Sequence, residues 1–250
     1  MTSVTVATFN LLHFVDRWAE RLPLILADMA ALQPDLMGLQ EVVYPMEQDR
    51  LVAAAGPGRY GVARGWAGRP EYGNSLLVRE PLTATADERL DLDLQRSSVR
   101  ARIALPGDVD LLAAVVHLHH LVGPEHDTLR DGQVERLVGW LDAAPSASAQ
   151  VVVGDFNARP GEPAHARMLA AGFRSAHAEA NGAEPPVTWP SGLVAPAMDT
   201  DGAPGCLDYV WVRGSVVVES ARTVFDRPAT SDPTLFPSDH LGVAATLRLG

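Results

Sequence analysis

The chain is punctuated by short apolar runs of strand length, and several of them end on a polar residue. Runs begin at Val4 ("VTVATF"), Leu36 ("LMGLQ"), Ser75 ("SLLVR"), Ser98 ("SVRARIAL") and Asp110 ("DLLAAVV"), and again at Val151 ("VVVG"), Leu207 ("LDYVWV"), Val216 ("VVVESARTV") and Leu241 ("LGVAATLRL"). Branched and aliphatic residues in such runs predict strands. They are too many for one small sheet. Two helical stripes lie between them. Leu22, Ile25, Leu26 and Met29 share one face of a helix expected to begin at Pro23, a residue suited to a first turn. Val134, Leu137, Val138 and Leu141 form a second stripe that stops before Pro145. Each stripe is expected to cover a sheet.

No charge block, repeat or long linker divides the 250 residues, so one compact domain is expected, falling loosely into two halves near "LVGPEH". No apolar run approaches the length of a membrane helix. The start of the chain lacks the basic, apolar and small-residue order of a signal peptide, and a cytoplasmic location is expected. The single cysteine, Cys206, excludes an internal disulfide and a thiolate cluster, which leaves oxygen and nitrogen to bind any metal. All 20 basic residues are arginine, so no Schiff-base lysine exists. A net charge of -11 works against tight binding of a polyanion. Nucleic acid is thus a possible but not a favoured partner, since bound cations can reverse the local sign. No protein partner is expected. The stretch from Ala183 to Pro204 is long for a connection and reads as a rim or lid, with Trp189 and Met198 as lining.

The stretch "VVVGDFNARPG" from Val151 raises the functional question. A run suited to a buried strand breaks at Gly154 into Asp155, Phe156 and Asn157. Alternation points Asp155 and Asn157 to one side and Phe156 to the other. Asp and Asn also cap turns by bonding their own backbone, so the stretch alone leaves both roles open. The pattern recurs elsewhere. Asn10 closes "TFN", Glu41 follows "LMGLQ", and "LLAAVVHLHH" ends on His117, His119 and His120. Asp208 stands in a run that otherwise reads as core, and a buried carboxylate needs a companion. Asp239 and His240 are adjacent in "FPSDHLGV" and diverge, which makes His240 a companion for Asp208.

"TFNLLH", "LQEV", "YGNSLLVR", "HLHH", "GDFNARP", "LDYVWV" and "PSDH" occur in the order of the endonuclease/exonuclease/phosphatase family, and the chain resembles it from Thr8 to His240. "GDFN" with the upstream "QE" and the terminal "SDH" carries most of the resemblance. It implies an α/β fold, a four-layer sandwich of two mixed β-sheets packed face to face with helices on the outside. The motif residues would meet at one edge. It also implies a divalent-metal-dependent hydrolase of phosphate esters that attacks with an activated water. The substrate would be a phosphodiester or small phosphorylated molecule, with a DNA or RNA nuclease as the alternative.

In the same resemblance Glu41 is the principal metal ligand, Asn10 lies beside the metal or a phosphate oxygen, and Asp239 is a further ligand or a supporting acid. Oxygen donors favour Mg2+, with Mn2+ as a substitute. Asp155 orients or deprotonates the water, and Asn157 donates to a phosphoryl oxygen. His240, held by Asp208, meets the phosphate as acid, base or stabiliser, and His117 grips it from the other half. Arg96 and Arg100 add positive charge or occupy a solvated strand face. Asn74 supports the site, and His119 and His120 shape its rim. Two other readings fit less well. "HLHH" is similar to the His-x-His motif of metallo-β-lactamase-type enzymes, but Leu121 and Val122 follow where Asp and His are required. A non-catalytic phospholigand-binding module would have lost metal and base positions, and all are present.

Overall fold

The computed structural model of the protein describes residues 2–13, 16–106, 109–196 and 202–250; Met198, expected to line the long loop, lies outside them. Strands β1 (Thr2–Asn10), β2 (Leu36–Val43), β3 (Tyr60–Gly65), β4 (Tyr72–Arg79), β11 (Val216–Val224) and β12 (Gly242–Leu249) form one sheet in the order β11-β12-β1-β2-β4-β3. Strands β5 (Thr83–Asp91), β6 (Ser97–Leu105), β7 (Val109–His117), β8 (Ala149–Asp155), β9 (Arg174–Ser175) and β10 (Asp208–Gly214) form the other, in the order β5-β6-β7-β8-β10-β9. Both sheets are mixed. β1 and β2 run parallel, as do β7 and β8, and the other pairings are antiparallel.

The two sheets pack face to face. Val6, Leu36 and Leu247 of the first meet Val115, Val151 and Val153 of the second in one buried cluster. Strands buried on both faces read as continuous apolar runs, which is why β7 and β8 lack alternation. Helices α1 (Trp18–Leu32) and α2 (Gln48–Ala54) cover the outer face of the first sheet, where Ile25, Met29 and Val52 join Phe9 and Leu39. Helices α3 (Pro124–Asp142) and α4 (Pro163–Ala170) cover the second through Val134, Leu137, Leu141 and Met168. A short helix, α5 (Ala176–Asn181), follows β9. The result is a four-layer α/β sandwich.

Helix α1 begins at Trp18, not at Pro23 as expected. Its added first turn buries Trp18 and Arg21, and that anchoring outweighs the hydrogen bond that Pro23 removes. Among the described residues, no helix is long and apolar enough to cross a membrane.

Candidate active site

Parallel pairing places the carboxyl ends of neighbouring strands together, and the polar residues that close the apolar runs sit at those ends. Asn10 lies opposite Gln40, the residue before Glu41, and His117 lies opposite Asp155. β10 runs back along β8 and opens with Asp208 opposite Asp155. Two local distortions aim the side chains. The β2–β4 register shifts between Leu39 and Val42, and within that bulge Glu41 takes φ 58°. Asn157 takes φ 48°; such left-handed backbone in non-glycine residues concentrates at functional sites. Gly154 is required for a different reason, since a Cβ there would lie 2.0 Å from the Val116 carbonyl oxygen.

The polar groups meet across the seam between the sheets. Asn10 Nδ2 donates to Asp155 Oδ2 at 3.0 Å and lies 3.4 Å from Glu41 Oε1. His117 Nε2 is 3.4 Å from Asp155 Oδ2 and 4.0 Å from Glu41 Oε1. His240 Nδ1 bonds Asp208 Oδ2 at 2.9 Å, and its Nε2 lies 3.7 Å from Asp155 Oδ2. Asn157 gives its main-chain N–H to Asp155 Oδ1 at 2.9 Å and one amide hydrogen to the Leu118 carbonyl at 3.1 Å. Asp239 accepts from Ser238 Oγ at 3.1 Å and from the Trp189 indole at 3.3 Å. A cavity of about 400 Å3 opens over the group, lined by Glu41, His117, Asp155, Asn157, Asp239 and His240 among others.

Burial and close charge set the protonation states. Burial pushes Asp155 up to about 7, with the Asp208 charge adding to it and His240 pulling the other way. Burial alone would discharge His240, but the charges of Asp208, Asp155 and Asp239 hold the ring well above its usual value. His117 goes the other way, well below, through burial and then the charge of Arg96. Burial also raises Asp239. For Glu41 burial is opposed by the hydrogen bond from His13 and the charges of His117 and His13, which together hold its carboxyl well below the usual range.

Two donor sets suit a divalent cation. One is a buried trio, Asp155, Asp208 and His240, with a ligand atom from each lying within 4.8 Å of the others. Asp208 Oδ1 in that trio is buried without a hydrogen-bond partner. The other lies on the cavity wall, where Glu41 and Asp239 supply hard carboxylate oxygens. The Asn10 amide oxygen accepts the Leu12 N–H at 3.0 Å, so Asn10, expected beside the metal or a phosphate oxygen, turns its N–H groups toward the carboxylates.

Several residues separate from the expectations. Arg96 reaches the cavity, with Nη1 3.0 Å from the His117 ring nitrogens and Nη2 2.8 Å from His120 Nδ1. Arg100 does not; it pairs with Glu88 and stacks on Trp140. Asn74 ties β4 to the Ser97 carbonyl at 2.7 Å, away from the cavity lining. His120 lines the cavity, whereas His119 is buried and turned to His126, 3.1 Å away. Trp189 and Gly202 of the long loop also line it. Sequence reasoning passed over His13, Tyr72, Arg159 and the buried Arg21; the first three carried a signal, their places in "TFNLLH", "YGNSLLVR" and "GDFNARP", and Arg21 carried none.

Residues 7–240 match the Endonuclease/Exonuclease/phosphatase family, and the chain belongs to it. Members of this family are divalent-metal-dependent hydrolases acting on phosphodiester bonds. Solved structures share the fold at low identity. D. rerio TDP2 complexed with a single-strand DNA product is 17% identical with a TM-score of 0.81, covering 99% of this chain and 100% of that one. The endonuclease/exonuclease/phosphatase from Bacteroides vulgatus is 21% identical with a TM-score of 0.79, covering 100% of both chains. The human Nocturnin catalytic domain with a bound sulfate anion is 21% identical with a TM-score of 0.77, covering 99% of this chain and 94% of that one. A comparison with curated proteins finds no match.

Proposed function

We propose that the protein hydrolyses small phosphodiesters with a divalent cation, by attack of a water that Asp155 activates. The supporting observation is the position of Asp155, which takes a hydrogen bond from Asn10 of the opposite sheet and lies within 4.0 Å of both His117 and His240. A carboxyl at about 7 can be ionised and still accept a proton at neutral pH. His240, charged and oriented by Asp208, stabilises negative charge at the phosphate or returns a proton to the leaving oxygen. Arg96 adds fixed positive charge behind His117. Asn157 retains one amide hydrogen for a phosphoryl oxygen.

Glu41 and Asp239 would hold Mg2+ or Mn2+, with Asn10 orienting the carboxylates. Such an ion neutralises phosphate charge and acidifies bound water. The buried trio is better read as a hydrogen-bonded relay, because Asp208 already engages His240 Nδ1.

A cavity of about 400 Å3 is of small-molecule size. Two arginines in its wall are committed to neighbours, Arg130 to Asp127 and Arg159 to Glu162, and the net charge is -11. These features favour a small ester over a polynucleotide. The single-strand DNA in the D. rerio TDP2 structure favours the second reading, a nuclease. A panel of bis(p-nitrophenyl) phosphate, p-nitrophenyl phosphate, plasmid DNA and RNA separates the two. The diester is expected to turn over with Mg2+ or Mn2+ and to stop on chelation. Folded Asp155→Asn and His240→Ala proteins are expected to lose about 100- to 10,000-fold in kcat/KM. Full activity in either variant would overturn these roles, and preferential cleavage of plasmid or RNA would move the assignment to the nuclease.

A further inference from the structure

Glu41 is held by a neighbour that commits two groups to one of its oxygens. The main-chain N–H of His13 donates to Glu41 Oε2 at 2.9 Å, and the His13 ring Nδ1 lies 2.5 Å from the same atom. A carboxylate only accepts, so Nδ1 carries a proton and the ring is a donor. Oε1 is left facing Asn10 Nδ2 at 3.4 Å and His117 Nε2 at 4.0 Å, on the cavity side. Tyr72 meets the His13 ring edge-on with centroids 5.0 Å apart, which limits its swing. Glu41 itself sits on left-handed backbone within a bulge. That backbone aims the side chain at the cleft, and His13 fixes which oxygen leads.

We propose that His13 is a positioning residue for the metal ligand Glu41: it ties down Oε2 and presents Oε1 alone to a divalent cation. This rests on the assignment of Glu41 to the metal made above. Metal-binding carboxylates depend on hydrogen-bond partners that set their orientation, and loss of one partner typically costs about 10- to 100-fold in metal affinity.

Calorimetric titration of Mn2+ into the wild-type protein and into His13→Ala, His13→Asn and Glu41→Ala tests both statements separately. His13→Ala is expected to weaken Mn2+ binding about 10- to 100-fold. His13→Asn, whose amide nitrogen occupies the place of ring Nδ1, is expected to recover most of the loss. Glu41→Ala is expected to abolish binding at the cleft. If His13→Ala binds Mn2+ as the wild type does while Glu41→Ala does not, the role of His13 falls and that of Glu41 stands. If both His13 variants lose affinity equally, the ring N–H is not the operative group and the inference falls. Wild-type affinity in Glu41→Ala would overturn the assignment of Glu41 itself.

Discussion

The guanidinium of Arg21 lies beneath the acidic cleft, where burial lowers it to about 10 and leaves it charged at neutral pH. It donates to the carbonyls of Leu11 and Pro237 at 2.8 and 2.9 Å, and so joins the loop after Asn10 to the loop before Asp239. Arginine suits this task because its planar fork reaches several acceptors at once. His119 shows the opposite use of burial. Its ring is pushed down to about 4, first by burial, then by His120, Arg96, His126 and Arg130 around it. The unfolded chain protonates a histidine near 6.5. Between those values the unfolded state binds the extra proton, so stability falls as pH drops through the window and is fully present above it. Urea unfolding at about pH 7.5 and about pH 5 should therefore show a larger loss for the wild type than for His119→Gln. Equal losses would mean that His119 titrates alike in both states.

At the scale of elements, the distance between the sheets is set by small residues as much as by large ones. A Cβ on Gly38 of β2 would stand 2.4 Å from Val153 Cγ2 and 2.8 Å from Val115 Cγ2 of the facing sheet. Valine is stiff at χ1 and cannot swing aside. Gly38→Ala is expected to cost about 1–3 kcal/mol by urea denaturation, through overpacking. Val153→Ala in the same chain should return part of that cost, because the two positions touch. An unchanged midpoint for Gly38→Ala would show that the sheets do not meet there. The same packing explains what could be read from the sequence. Runs such as "VVVG" and "LLAAVV" were legible because both faces of β7 and β8 are covered. β3, β5 and β9 were not: each is an edge strand with exposed residues and, unlike the edge strand β11 with its three valines, none carries an apolar run. The short helices α2, α4 and α5 present too few turns for a stripe to register. Asn10, Glu41, His117, Asp155, Asp208 and His240 stood out as polar residues interrupting or closing apolar runs. Arg21 could not, because it lies among the apolar positions of α1 and its partners are carbonyls supplied by distant loops.

At the scale of the whole molecule, the candidate site is assembled from both sheets. Asn10 and Glu41 come from the first sheet, and Asp239 and His240 immediately precede its strand β12. His117, Asp155 and Asp208 come from the second. The polar contacts cross between them, Asn10 to Asp155 and His240 to Asp208. The proposed ligands Glu41, in β2, and Asp239, before β12, are about two hundred residues apart in sequence and come together only in the folded chain, so a cation held by them would bind the native state alone and raise its stability. Mn2+ at a hundred times its dissociation constant is expected to raise the unfolding free energy by about 2.7 kcal/mol. The rise should be read as a shift of the urea midpoint at constant slope. Glu41→Ala should lose the shift if the cation sits on the cavity wall. If the shift persists in Glu41→Ala and disappears in Asp208→Asn, the ion occupies the buried Asp155, Asp208 and His240 cluster, and the relay reading of that trio is wrong. A midpoint that ignores Mn2+ in the wild type would remove the metal from the mechanism altogether, because an ion that binds the native state and not the unfolded chain cannot do so without raising stability.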